Sequence, residues 1–285
     1  MAATATKVRL SIENVRKTYP GELAALSGVS LVAGDGEFVS IIGPSGCGKS
    51  TLFNLIAGLD APDGGRILLD GRNIAGRTGL VGYMPQKDLL LPWRTVVGNV
   101  TLGPELEGKG RRQEAEVEAR ELLPLFGLEE FADNYPATLS GGMRQRAAFL
   151  RTVLCHRDVM LLDEPFGALD AITRAQMQLW LLGVWEQLRR TIVFVTHDID
   201  EALLLSDRVY VLSARPARVR AELPVRLARP RRLEMVTTPA FARMKQALLE
   251  AMELAGPVAF EATAGATGAG TTGVEDGLGA IAGHQ

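Results

Sequence analysis

FVSIIGPSGCGKSTLFNLI, residues 38–56, places three patterns end to end. Phe38-Val-Ser-Ile-Ile42 is a nearly continuous apolar run, the mark of a strand covered on both faces. Gly43-Pro-Ser-Gly-Cys-Gly-Lys-Ser50 matches G-x-x-x-x-G-K-[ST] without a gap. Thr51-Leu-Phe-Asn-Leu-Ile56 can continue as a helix. Strand, glycine-rich loop and helix in that order build a phosphate cradle. Glycines let backbone N–H groups turn inward, where most side chains would block them. The expected nucleotide site is therefore Gly43, Pro44, Ser45, Gly46, Cys47, Gly48, Lys49, Ser50 and Thr51. Lys49 supplies charge to the β- and γ-phosphates, and Ser50 is a candidate Mg²⁺ ligand. Cys47 needs no special reactivity, because the motif tolerates many residues there.

Further runs extend the pattern. Val159-Met-Leu-Leu162, Ile192-Val-Phe-Val195 and Val209-Tyr-Val-Leu212 read as buried strands of a mainly parallel sheet. Val8, Leu10 and Ile12 alternate as on a half-buried strand. Met177, Leu181, Trp185 and Leu188 form an amphipathic stripe within 173–190. Residues 111–126 predict an exposed, charged helix, and 239–254 a short one. The fold class is α/β, with a helical insert near 90–150. Asp163-Glu164 closes the run 159–162. An acid at a buried strand tip beside the phosphate loop can hold Mg²⁺ through water, which suits Asp163. Glu164 is then free to orient or deprotonate a water.

Bulk properties exclude several classes. Net charge is −2, so nothing global points to nucleic acid. Two cysteines suit a reducing compartment without a disulfide framework. No apolar run approaches the roughly 18 residues of a membrane span, and the N-terminus lacks a signal-peptide core. The expectation is a chain soluble by itself, cytoplasmic and joined to a membrane through a partner. Residues 214–232 hold seven arginines among prolines and alternating apolar residues. They read as a strand pair with one wet face; contact with anionic lipid headgroups is the sharper alternative. After Ala262 the chain is mostly Gly, Ala and Thr, predicting a flexible tail.

LSGGMRQR, residues 139–146, presents a hydroxyl and two glycines ahead of a basic helix. That is a second anion site of the helix N-terminus type. The stretch resembles the signature of the ATP-binding cassette (ABC) ATPases. That resemblance implies a P-loop NTPase core, an N-terminal antiparallel β part and a helical insert subdomain at about 88–155. The ATPase domain would cover 1–232, a helical extension 233–261 and the flexible tail 262–285. It also implies site roles. Tyr19 looks like the aromatic that stacks on adenine. Gln86 resembles the glutamine that contacts Mg²⁺ and the attacking water. Asp170 ends a loop that crosses to the partner subunit. His197 resembles the histidine that senses the γ-phosphate. Ser140, Gly141 and Gly142 would grip ATP held by the other subunit, since cassettes of this family pair head to tail. The implied cofactors are ATP and Mg²⁺.

MPQKDLLLPWRTV and SARPARVRAELPV resemble the nitrate/sulfonate/taurine importer group and relatives importing a thiamine-precursor pyrimidine. The implied partners are a second cassette subunit, integral-membrane permease subunits and, indirectly, a solute-binding protein, with no nucleic acid. The implied location is peripheral, on the cytoplasmic face of the membrane. A soluble, non-transport ABC ATPase is the alternative. Against it, no heptad block for a long coiled coil fits between Gln86 and Leu139, and one cassette is present rather than two.

Overall fold

The computed structural model describes residues 7–21, 23–108 and 111–253. β1 (Val8–Tyr19) and β2 (Leu23–Gly34) open the chain as an antiparallel pair. β3 (Phe38–Ile42) and α1 (Lys49–Ile56) follow on either side of the glycine-rich loop. β4 (Gly64–Leu69) and β5 (Arg72–Asn73) return to the first sheet, whose order is β2-β1-β4-β5. After the short β6 (Gly82–Met84) comes a helical run. Its members are α2 (Val96–Val100), α3 (Leu102–Glu107), α4 (Arg111–Phe126) and α5 (Gly141–Val153). β7 (Val159–Asp163), α6 (Ala171–Leu188), β8 (Thr191–Val195), α7 (Ile199–Leu205) and β9 (Arg208–Leu212) then alternate. β10 (Val219–Pro224) and α8 (Pro239–Glu253) complete the described chain.

The second sheet has the order β10-β9-β3-β8-β7-β6. All its pairings are parallel except that of β10 with β9. The apolar runs are continuous because this sheet has two cores. Phe38, Ile42, Met160, Leu162, Ile192 and Phe194 face the helices. Val39, Ile41, Val159, Leu161, Val193 and Val195 face α1 and the first sheet. Period-two alternation is still present, but both faces are apolar. Fully burying each such side chain contributes about 1.5–3 kcal/mol. Parallel strands all end on one edge, so β3, β7 and β8 deliver their C-terminal loops to one place.

The helical insert is fastened to this core through α6. Trp180 meets Phe126 at 5.3 Å and Phe149 at 5.8 Å between ring centroids, both edge-on. Its indole N–H donates to the Leu125 carbonyl at 3.2 Å.

The expected α/β class and parallel sheet are present. Residues 214–232 depart from expectation in detail. They supply one strand, β10, which pairs with β9 rather than within the segment. Its alternating exposure does leave one wet face. Beyond it, Arg231 is buried rather than wet. Its guanidinium donates to the Leu203, Leu204 and Ser206 carbonyls at the C-terminus of α7. The expected C-terminal extension is described as far as Glu253; the tail predicted for 262–285 lies outside the described residues.

Candidate functional site

The loop between β3 and α1 carries two glycines in left-handed conformations. Gly48 has φ +125°, and a Cβ there would lie 2.9 Å from Leu26 Cδ2 and 3.0 Å from the Ala25 carbonyl. Gly46 has φ +70° with open space beside it, so conformation alone demands glycine. Lys49, 7% exposed, begins α1 and folds back over the loop. Its ammonium donates to the Gly43 and Pro44 carbonyls at 2.9 and 3.0 Å. Cys47 is buried, and burial pushes its thiol up. It is therefore a packing residue of the loop rather than a nucleophile. A cleft of about 290 Å³ opens above, lined by Ser45, Gly46, Gly48, Lys49, Ser50, Thr51, Gln86, Glu164 and Arg215.

The end of β7 carries two acids, Asp163 buried and Glu164 half-buried at the cleft. Asp163 is buried at the strand end, and burial and then Glu164 push its carboxyl up. The nearby Ser50 hydroxyl, Lys49 ammonium and Tyr83 phenol oppose that rise. Tyr83 is itself pushed up to about 12 by burial and by Asp163. Glu164 lies past the strand with φ +44°, uncommon for a non-glycine residue. Its N–H donates to the Val195 carbonyl of β8 at 2.9 Å. That bond holds the turn, a strained conformation of about 1–3 kcal/mol, and leaves the carboxylate aimed at the cleft.

Glu164 Oε2 is shared. The Gln86 amide Nε2 approaches it at 3.3 Å, and His197 Nδ1 also at 3.3 Å. The His197 side chain is 60% exposed, just beyond β8. Below it, Thr196 Oγ1 donates to Glu201 Oε2 at 2.6 Å and accepts from the Asp198 N–H at 3.0 Å. Asp198 caps α7, accepting from Asp200 and Glu201 N–H.

Ser140 is the N-cap of α5; its hydroxyl accepts from Met143 N–H at 3.3 Å. Ser140 is exposed and Gly142 is buried. A Cβ on Gly142 would crowd Thr173 Cγ2 at 3.2 Å. Asp170 caps α6, accepting from Thr173 and Ile172 N–H, and these bonds hold its carboxyl below the usual range. Tyr19 ends β1, half-buried, with the Lys17 ammonium 5.3 Å from its ring centroid.

The structure thus sets Lys49, Ser50, Gln86 and Glu164 in the lining of one cleft, with His197 reaching it through Glu164 and Asp163 buried beside Glu164 at the strand end. Ser140, Gly141, Gly142, Asp170 and Tyr19 are not in its lining. Sequence reading missed Tyr83 and Arg215. Tyr83 sits three residues before Gln86, but nothing in the sequence marks it as a partner of Asp163. Arg215 was hidden among neighbouring arginines.

Residues 26–167 match the family model described as ABC transporter. The taurine import ATP-binding protein TauB of Pseudomonas aeruginosa (strain UCBPP-PA14) is 43% identical over 232 residues, covering 80% of this chain and 88% of TauB. The formylaminopyrimidine import ATP-binding protein ThiZ of Halalkalibacterium halodurans is 45% identical over 210 residues, 74% of this chain and 82% of ThiZ. Among solved structures, the dimeric bacterial ABC transporter cassette MJ0796 is 34% identical with a TM-score of 0.66, covering 77% of this chain and 100% of that one. With this cleft, this sheet order and these relatives, the chain belongs to the ATP-binding subunits of the ABC transporter family.

Proposed function

We propose that this subunit hydrolyses ATP to energise a membrane importer of a small solute, in a head-to-tail pair of cassettes. The observation that carries the reading is the convergence of Gln86 and His197 on Glu164 Oε2 beside the phosphate loop, with Ser140 outside that cleft. One chain assembles the hydrolytic acid but leaves its α5 N-terminus facing elsewhere. Such a terminus carries roughly half a positive charge and spare N–H donors. A second copy, turned head to tail, would set Ser140, Gly141 and Gly142 against the γ-phosphate held by the first. Asp170 and its loop would lie at that junction, and Tyr19 would receive the adenine.

Within each cleft, Gly43–Ser50 and Thr51 hold the phosphates and Lys49 moves from its own loop carbonyls to the β- and γ-oxygens. Glu164 takes or orients the proton of the attacking water, and His197 and Gln86 keep its carboxylate in place. The donors Ser50, Asp163 and Gln86 suit Mg²⁺. The Ser50 hydroxyl lies close enough to Asp163 to lower its carboxyl, and all three offer oxygen, the ligand type that hard cations take. Among the described residues no cluster of three or more His, Cys, Asp or Glu could hold a metal. The remaining ligands would therefore be phosphate and water, the usual arrangement for Mg²⁺. Bound there, Mg²⁺ neutralises charge on the phosphate oxygens.

Cargo and partners follow from the same reading. Among the described residues no helix is long and apolar enough to cross a membrane, so the conduit would be a permease partner. Leu89 and Trp93, 58% and 71% exposed, stand just beyond Gln86 as apolar contacts for a cytoplasmic permease helix. This segment is tied to the signature helix. Arg144 donates to Asp88 Oδ2 at 3.2 Å, and Arg151 to the Leu89 carbonyl at 2.8 Å. Docking there would move Gln86 and α5 together. The subunit would sit on the cytoplasmic face of the membrane, and a solute-binding protein would deliver taurine-, nitrate- or pyrimidine-like cargo. Glu164→Gln tests the core of this account. It should lower turnover about 10²–10⁴-fold yet leave ATP-driven dimers on a sizing column. Normal turnover, or no dimer with ATP, would overturn it.

A further inference from the structure

The chain leaving β9 is pressed against the phosphate loop. The Ala217 N–H donates to the Ala25 carbonyl at 2.9 Å, and the Ala217 carbonyl accepts from Ser27 N–H at 2.9 Å. Ala217 also lies 3.6 Å from where a Cβ on Gly48 would stand, and the Leu212 carbonyl lies 3.0 Å from the same position on Gly43. Within the turn, Ser213 Oγ donates to the Ala214 carbonyl at 2.8 Å and accepts from Arg218 N–H at 3.0 Å. The Arg218 guanidinium donates to Ser27 Oγ at 3.1 Å. Both sheets therefore hold residues 213–218, and the loop that would wrap the phosphates packs directly on them.

At the tip stands Arg215. It lines the same cleft as Ser45, Gly46, Lys49 and Ser50. Of the neighbouring arginines, Arg218 is held by Ser27, Arg229 by Asp207 and Arg231 by backbone carbonyls, and neither these nor Arg220, Arg226 and Arg232 line this cleft. Arg215 is exposed and, among the described residues, has neither an ion-pair nor a hydrogen-bond partner. The cleft's other charges do not balance a triphosphate. Lys49 is the cation of the loop, opposed by Asp163 and Glu164. A guanidinium fork matches phosphate oxygens better than any other side chain.

We propose that Arg215 is a nucleotide-binding residue, a second side-chain cation that contacts the polyphosphate of the ATP held by its own chain. This rests on the reading of Gly43–Ser50 as the nucleotide site. The test is ATP and ADP binding to the full chain, at concentrations where it is monomeric, with the melting temperature of each variant as a folding control. Arg215→Ala should weaken both nucleotides about tenfold, and Arg215→Lys should recover part of that loss. The affinity of Arg215→Ala should also depend less steeply on salt. A well-folded Arg215→Ala that binds ATP within about twofold of wild type sinks the assignment. So does one that keeps monomer affinity but loses ATP-driven dimerisation, because Arg215 would then touch the partner subunit. Failure of the wild-type chain to bind ATP would bring down the nucleotide reading itself, a result the comparison keeps separate.

Discussion

Glu201 shows how a single buried acid sits behind the exposed chemistry. It is 5% exposed and lies between α6 and the loop that carries His197. Thr196 donates to one of its oxygens and Gln178 to the other, at 2.6 and 3.1 Å, with Arg174 Nε farther off at 3.9 Å. Burial dominates and pushes its carboxyl up, Asp198 adds to the rise, and Thr196, Gln178 and Arg174 oppose it. A carboxyl whose folded value is raised favours the protonated folded state. Its contribution to stability is full below the ordinary glutamate value of about 4.3 and is lost as pH rises through the raised value. Glu201→Gln should therefore flatten the fall in melting temperature on going from pH 4 towards neutrality. The neutral amide can still accept from Thr196, and Gln178 can reverse its amide to pair with it. Parallel melting curves against pH for the two proteins would contradict this.

α7 is short, and its ends are secured by different means. Asp198 caps its start one residue after His197. Its finish depends on Arg231, which reaches back from a distant part of the chain to three carbonyls. That guanidinium is pulled down to about 10 by burial and by Arg229, and its nearest carboxylate oxygen, on Asp207, is 3.7 Å away. Arg231 thus acts more as a hydrogen-bond cap than as half of an ion pair. Arg231→Ala would orphan those carbonyls in a buried place, costing about 2–4 kcal/mol. On a chain of this size the melting temperature should fall by about 5–15 °C. Because α7 follows His197 directly, turnover should fall more than ATP affinity. A variant that melts like wild type would show that water replaces the guanidinium there.

In the proposed head-to-tail pair, the decisive residue would be Ser140, outside the lining of its own chain's cleft. Ser140→Arg places a bulky cation where the proposed partner's γ-phosphate would lie, and it leaves Gly43–Ser50 untouched. ATP binding by the monomer should remain within about twofold of wild type, while the ATP-driven dimer is lost and turnover drops with it. Ultracentrifugation with and without ATP reads this directly. Dimers of the variant at wild-type nucleotide concentration would mean that α5 does not contact the other subunit's nucleotide.

The phosphate loop, the acids at the end of β7 and the apolar strands were legible in order, because each depends on contiguous residues. A glycine needed for a left-handed φ, a lysine next to it and a run buried on both faces all leave local marks. β6 escaped notice because three residues carry no period, and the hairpin β10–β9 was misread because pairing joins segments, not neighbours. The meeting of Gln86, Glu164 and His197 on one oxygen arises from adjacency of β6, β7 and β8, which no spacing along the chain encodes. Burial of Arg231 against α7, and the placement of Arg215 beside Lys49, likewise follow from how the sheets pack. Local chemistry was written in the order of residues; the distances between those chemistries come from long-range packing, which brings together groups that the chain keeps far apart.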